Sequence, residues 1–301
     1  MANEHLFGYS SSTPSSGIDP LPSAFAMLKR SWGIFRKRSG TFFGIAAFSV
    51  VPMIIVYVLF ATDNWLWVSV ATVIMALGQL MMMMAYILAM AGGEAVGANE
   101  AYRRASGKLL RAIWLAFIFF VVVFGAAGLL IIPGIIFFGW FMFAFYIMVL
   151  EDQGGMNALF YSREYVKGKW WAIVGYMLLP AAISMALTWV FNAVFSALHV
   201  PYASEVVNIA LSLIVTPVAA IYMYLVYAGL KAKQGPVTVK SGTGRKAKYL
   251  AAGSVGLVFL AVFLAGSILL MLTATKGAPT FTDQPTANMN AQIPTVPAPK
   301  K

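Results

Sequence analysis

LLIIPGIIFFGWFMF, residues 129–143, lies inside a run from 109 to 150 whose only charge is Arg111. A helix rises about 1.5 Å per residue and the hydrocarbon core of a bilayer is about 30 Å thick. About 20 apolar residues therefore cross it, and this run is twice that. One straight helix of that length fits no bilayer. Pro133 removes a backbone donor and disfavours helix at Ile132, while Gly134 permits a turn. The stretch predicts a tight helical hairpin with Pro133-Gly134 at its tip, joining a span over about 109–131 to one over about 134–150.

The same count extends along the chain. Spans are predicted over about 41–61, 65–91, 170–198 and 203–230, with a seventh over 249–273. Pro180 and Pro217 fall inside two of them, where neighbouring helices can satisfy a kink. Composition agrees. Of 301 residues, 60% are hydrophobic and 10% charged, against about 45–50% and about 25% in soluble domains. The expected class is an all-α, polytopic integral membrane protein: a six-helix domain of three helical-hairpin repeats with interfacial amphipathic helices, plus a seventh transmembrane helix.

The net charge of +11 does not point to nucleic acid once the charges are placed. Eighteen of the 21 lysines and arginines lie before span one or in the loops after spans two, four and six. The alternate loops carry Asp63, His199 and Glu205 with no Lys or Arg. Retention of positive charge on the cytoplasmic side predicts N-terminus in and C-terminus out in a cytoplasmic membrane. Residues 1–22 are polar and lack an apolar leader core, so the spans themselves are expected to drive insertion. The expected organisation is a disordered cytoplasmic N-terminus (1–22), the six-span domain (23–232), a basic cytoplasmic loop (233–248), the seventh span, and a disordered tail outside (274–301).

The repeat reading rests on the segments preceding spans one, three and five. With an offset of 131, Leu28 meets Leu159, Ser31 meets Ser162, Phe35 meets Val166, Arg36 meets Lys167 and Arg38 meets Lys169. Ala101 and Ala105 stand opposite Met27 and Ser31 in a looser third copy. The repeats run over about 23–91, 94–150 and 154–230. In the first, Phe25, Leu28, Trp32 and Phe35 share one face, as suits a helix lying in the headgroup layer. Predicted lipid-headgroup contacts are Trp32, Arg36, Lys37, Arg103, Arg104, Lys167, Lys169 and Trp170. A cation near an anionic surface contributes about 1 kcal/mol.

Several of these elements resemble a known family. Ile132-Pro133-Gly134-Ile135, the turn Glu151-Asp152-Gln153-Gly154, Ala158 with Ser162, and Lys167-Gly168-Lys169-Trp170 are similar to the signature region of bacterial YciC-like proteins. They also resemble the membrane domain attached to some glycerophosphoryl diester phosphodiesterases. The likeness is best over about 129–175 and fainter over about 23–232. It implies a six-helix membrane domain of unsettled activity. It carries over no phosphodiesterase chemistry, which belongs to a separate soluble barrel.

Motifs for catalysis are sparse. The two histidines, His5 and His199, cannot build a His-based metal site and there is no cysteine. No H-E-x-x-H, G-x-S-x-G or phosphate-loop motif occurs. No cofactor is expected and no enzymatic activity. Glu151 and Asp152 are read as a helix cap or as partners of Arg163 or Lys167. Gln79, Asn192 and Asn208, with Glu205 near the outer interface, are either interhelical glue or a polar path. The expected function is a non-enzymatic membrane protein that organises lipids or partner proteins. The alternative is a transporter or lipid-translocating protein using that path. Expected partners are anionic membrane lipids, with a membrane-protein partner or a second copy of the chain as further candidates, and no nucleic acid.

Overall fold

The structure, a computed structural model, describes residues 22–60, 64–93, 96–197, 203–235, 237, 239 and 243–276. Its helices are α1 (Ala24–Lys37), α2 (Ser39–Phe60), α3 (Trp65–Ala91), α4 (Ala98–Ser106), α5 (Leu109–Leu129), α6 (Ile131–Phe141), α7 (Ala144–Leu150), α8 (Met156–Val166), α9 (Trp170–Ala197), α10 (Ala203–Gln234) and α11 (Thr243–Lys276). Among the described residues six stretches are long and apolar enough to cross a membrane: Ser39–Val56, Leu66–Ala91, Leu109–Gly128, Ile131–Leu150, Trp170–Phe195 and Val207–Gln234. This is a multi-pass membrane protein. Three hairpins account for those spans: α2 with α3, α5 with α6 and α7, and α9 with α10. A short helix precedes each.

The hairpin at the quoted stretch is present, but its turn is Leu130 and not Pro133-Gly134. Leu130 alone is extended, at φ −156° and ψ 138°, between the end of α5 and the start of α6. Pro133 falls in the first turn of α6, where a backbone N–H has no intrahelical partner to lose. Gly134 matters through space. A Cβ there would lie 2.5 Å from that of Ala127, so the glycine lets the first turn of α6 abut the last turns of α5.

The short helices bury the small-residue positions that align in the sequence. Met27, Ser31 and Phe35 are buried on α1, Ala101 and Ala105 on α4, and Ala158, Ser162 and Val166 on α8. This differs from the face expected of α1. Phe25 and Trp32 are exposed, and the inward stripe is one step round the helix, packed chiefly against α10. The apolar positions of α1 thus divide between a protein-facing and an outward-facing set.

Two hairpins are closed by a cation placed at the carbonyl end of the returning helix, where the macrodipole is negative. Arg38, before α2, donates through both terminal nitrogens to the carbonyls of Ala89 and Val96, each at 2.8 Å. Lys108, before α5, donates to the Val149 carbonyl at 2.7 Å and to Asp152 at 2.6 Å. In the third hairpin Lys169 lies beside Lys233 at the end of α10. Replacing Arg38 by methionine is expected to cost about 1.5 kcal/mol, since charge-assisted bonds are lost and carbonyls orphaned. The check is the unfolding midpoint of purified protein in detergent. Arg38→Lys should recover part of the loss, because a single ammonium reproduces only part of the fork.

Candidate functional site

Among the described residues, a cluster of polar side chains lies where α7, α8 and α10 meet, at the end of the bundle that carries the short helices. Glu151 caps α7 and is only 15% exposed. Its Oε1 accepts from the Tyr227 hydroxyl at 2.5 Å and from the Tyr165 hydroxyl at 3.2 Å. The Lys231 ammonium stands 3.0 Å away. Tyr146 and Phe143 pack their rings against that of Tyr227. Burial first, then the Glu151 charge and hydrogen bond, push the Tyr165 phenol well above its usual range. Gln234 closes the cluster by donating to the Tyr165 carbonyl at 2.8 Å.

Eight residues before Glu151 the span is broken. α6 stops at Phe141 and α7 starts at Ala144, with a turn at Met142 and Phe143. The fully buried Ser162 of α8 fills the break. Its hydroxyl donates to the Trp140 carbonyl at 2.7 Å and accepts from the Phe143 N–H at 3.1 Å. A backbone interruption inside a span needs such a partner, because the lipid supplies none. Arg163, the next residue after Ser162, lies over the Trp140 ring at 4.6 Å and donates to the Tyr249 hydroxyl at 2.9 Å.

Glu151 and Asp152 are both paired, but not with the expected residues. Asp152 takes Lys108 at 2.6 Å and Arg111 at 3.6 Å, while Lys167 turns to Glu164 at 3.5 Å. Asp152 does not cap α8, whose N-cap is Gly155 without a side-chain bond. The backbone turns at positive φ at Asp152 and at Gly155, which aims Asp152 back toward α5. The hydrogen bond from Lys108, with the charges of Lys108 and Arg111, holds the Asp152 carboxyl below its ordinary 3.8. A lowered folded-state value stabilises above the unfolded value and is lost as pH falls through the folded one. Acid lability below about pH 4 is therefore expected to be smaller in Asp152→Asn than in the parent, read as the slope of the melting temperature against pH.

The predicted headgroup residues lie at the same end. Arg36, Lys37 and Lys167 are exposed, and Trp32 is 43% exposed. Arg103 and Arg104 share Glu100, whose carboxyl their hydrogen bonds hold down to about 2. Burial, then the Lys233 charge, lowers the Lys169 ammonium. Trp170 is half-buried, its indole laid over Gly139 of α6 so closely that no Cβ fits there. The candidate polar path is only partly brought together. Asn208 donates to Asn192 at 3.4 Å between α10 and α9. Gln79 faces out from α3 and is not joined to that pair among the described residues. The side chain of Glu205 lies outside the described residues, as do residues 1–21 and 277–301.

A family model described as a domain of unknown function (DUF7847) matches residues 57–233, more than half of the chain. The chain belongs to this family. No curated protein and no solved structure matches it. The DUF7847 region begins within α2 and ends at the last turn of α10. It contains Glu151, Tyr165, Tyr227, Lys231 and Ser162, so the buried cluster and the broken span are features of the family domain in this chain. α1 and α11 lie outside the DUF7847 match.

Sequence reasoning found Glu151 but not Tyr227 or Lys231, which stand some 80 positions downstream. One signal was available. Tyr227 and Lys231 are four apart on one helical face and open toward the basic end, where a carboxylate partner is favourable.

Proposed function

We propose that this chain is a non-enzymatic membrane protein that organises anionic lipids or partner proteins at the cytoplasmic face of a bacterial inner membrane, with its N-terminus inside. The carrying observation is the concentration of exposed cations and aromatic side chains at the end of the bundle formed by α1, α4 and α8. Below that surface Glu151 ties α7, α8 and α10 into one body, which suits a platform. The three units of short helix and hairpin are read as a threefold repeat, and α11 as a seventh span that leaves the C-terminus outside. The likeness to the YciC-like membrane domain is part of this reading.

A second reading, a transporter or lipid-translocating protein, is favoured by the break between α6 and α7. Discontinuous spans in transporters expose helix ends to a substrate. The Asn192–Asn208 pair would give such a path a polar step.

Extraction directly into native lipid discs, followed by mass spectrometry of what co-purifies, separates them. Enrichment of anionic lipid or a stoichiometric protein partner supports the platform. A lone protein that moves a labelled lipid between leaflets of liposomes supports the second reading and removes the first.

A further inference from the structure

Phe25, Lys29, Trp32 and Arg36 are all exposed and fall at i, i+4, i+7 and i+11 of α1. At helical spacing they form one stripe in which aromatic rings and cations alternate. Phe25 is 71% exposed. The inward face of the same helix, Met27, Ser31 and Phe35, is taken up by the protein.

The attachment of α1 fixes how it lies. The Tyr176 hydroxyl of α9 donates to the Pro22 carbonyl at 2.9 Å, just ahead of α1. Tyr176 follows the start of α9 by six residues, about 9 Å into the span, and a helical side chain leans back toward its N-terminus. The beginning of α1 is therefore held at the level where α9 starts. Its other end runs through Arg38 directly into α2. Both ends of a 14-residue helix are pinned where spans begin, so its length of about 21 Å runs along the surface and does not project from it. Two exposed tryptophans on α9 mark the bilayer levels: Trp171, 81% exposed, and Trp189, 74% exposed. They are eighteen residues apart, about 27 Å along a helix, close to the hydrocarbon thickness. The Trp171 level is the one at which α1 lies.

We propose that α1 is a leaflet-embedded helix whose outward stripe engages anionic phospholipid, with Phe25 and Trp32 among the upper acyl chains and Lys29 and Arg36 reaching to the phosphates. Long cationic stems of this kind keep the charge at the headgroups while covering apolar surface. The inference rests on the membrane placement and the anionic-lipid reading proposed above, and adds the stripe that makes the contact and its depth.

The natural absence of cysteine permits single-site spin labelling of the full chain. Phe25→Cys and Trp171→Cys, each carrying a nitroxide, are reconstituted in vesicles of equal parts phosphatidylethanolamine and phosphatidylglycerol. Collision with oxygen and with a water-soluble nickel chelate then reports depth. At both positions the label is expected to be oxygen-accessible and shielded from nickel. Adding Lys29→Gln with Arg36→Gln should raise nickel access at position 25 several-fold and leave position 171 unchanged. In phosphatidylcholine alone the parent should resemble that variant. A label at 25 as nickel-accessible as free label, with 171 shielded, overturns the proposal and leaves the membrane placement standing. Nickel access at both positions removes the placement as well. Shielding at 25 that is indifferent to lipid charge and to both glutamines overturns the assignment to anionic phospholipid.

Discussion

Gly125→Leu is expected to unseat α11 from the bundle. α11 lies against α5 along most of its described contact, with Gly253 against Val121 and Gly256 against Gly125. Both positions increase together, so the two helices run in the same direction. The approach is backbone to backbone. A Cβ on Gly125 would lie 2.0 Å from the Gly253 carbonyl oxygen, and one on Gly256 would be closer still to that of Gly125. Small residues allow such contact in membranes, where packing and not solvent exclusion drives association. A carbonyl on a rigid helix cannot rotate away as a side chain can, so the helix itself must move. The expected loss is about 3 kcal/mol, at the upper end for overpacking.

The displacement has a local reporter. Tyr249, at the base of α11, meets the rings of Phe137, Phe141 and Phe160 edge to face and accepts from Arg163. A cysteine at the buried Phe160 should label slowly with maleimide in the otherwise parental chain and fast beside Gly125→Leu. Gly175→Ala is the control, because nothing lies within 4 Å of a Cβ there. A melting temperature and labelling rate unchanged by Gly125→Leu would mean that α11 does not sit on α5.

These sites divide according to how far their causes lie apart in the chain. Six of the spans were legible because length and apolar content act within a window of about 20 residues. The hairpin after α5 was legible for the same reason, yet Pro133-Gly134 drew attention away from Leu130. Proline is tolerated in a first helical turn, and the glycine serves a packing contact with Ala127. Ser31 and Ser162 align in the sequence as repeat positions, and their shared burial on the short helices emerges only from the packing. The break between α6 and α7 was not legible. Residues 131–150 are apolar throughout, and the hydroxyl that permits the break comes from the following helix. The partners of Glu151 were hidden likewise, since helical periodicity ranks faces and not which helix a face meets. Gly253 and Gly256 stand three apart on a predicted span, but their receptor at Gly125 only the packing identifies.

Ser162→Ala tests whether the broken span depends on one hydroxyl. Ser31 and Ser162 occupy matching positions and both are fully buried. Their bonds differ. The Ser31 hydroxyl donates to the Met27 carbonyl of its own helix at 2.8 Å, a carbonyl already engaged by the helical ladder. Ser31→Ala should therefore cost less than about 1 kcal/mol. Ser162 instead serves the Trp140 carbonyl and the Phe143 N–H, two backbone groups of another segment freed by the break. Removing the hydroxyl orphans both in an apolar setting, at about 1–3 kcal/mol each. The expected cost is about 3 kcal/mol, measured as the shift in unfolding midpoint on titration with a denaturing detergent. Because α7 connects the break to Glu151, amide exchange over residues 144–151 should also quicken in Ser162→Ala and not in Ser31→Ala. Equal costs for the two substitutions, with exchange unchanged, would show that the segments around Met142 and Phe143 are held by packing alone.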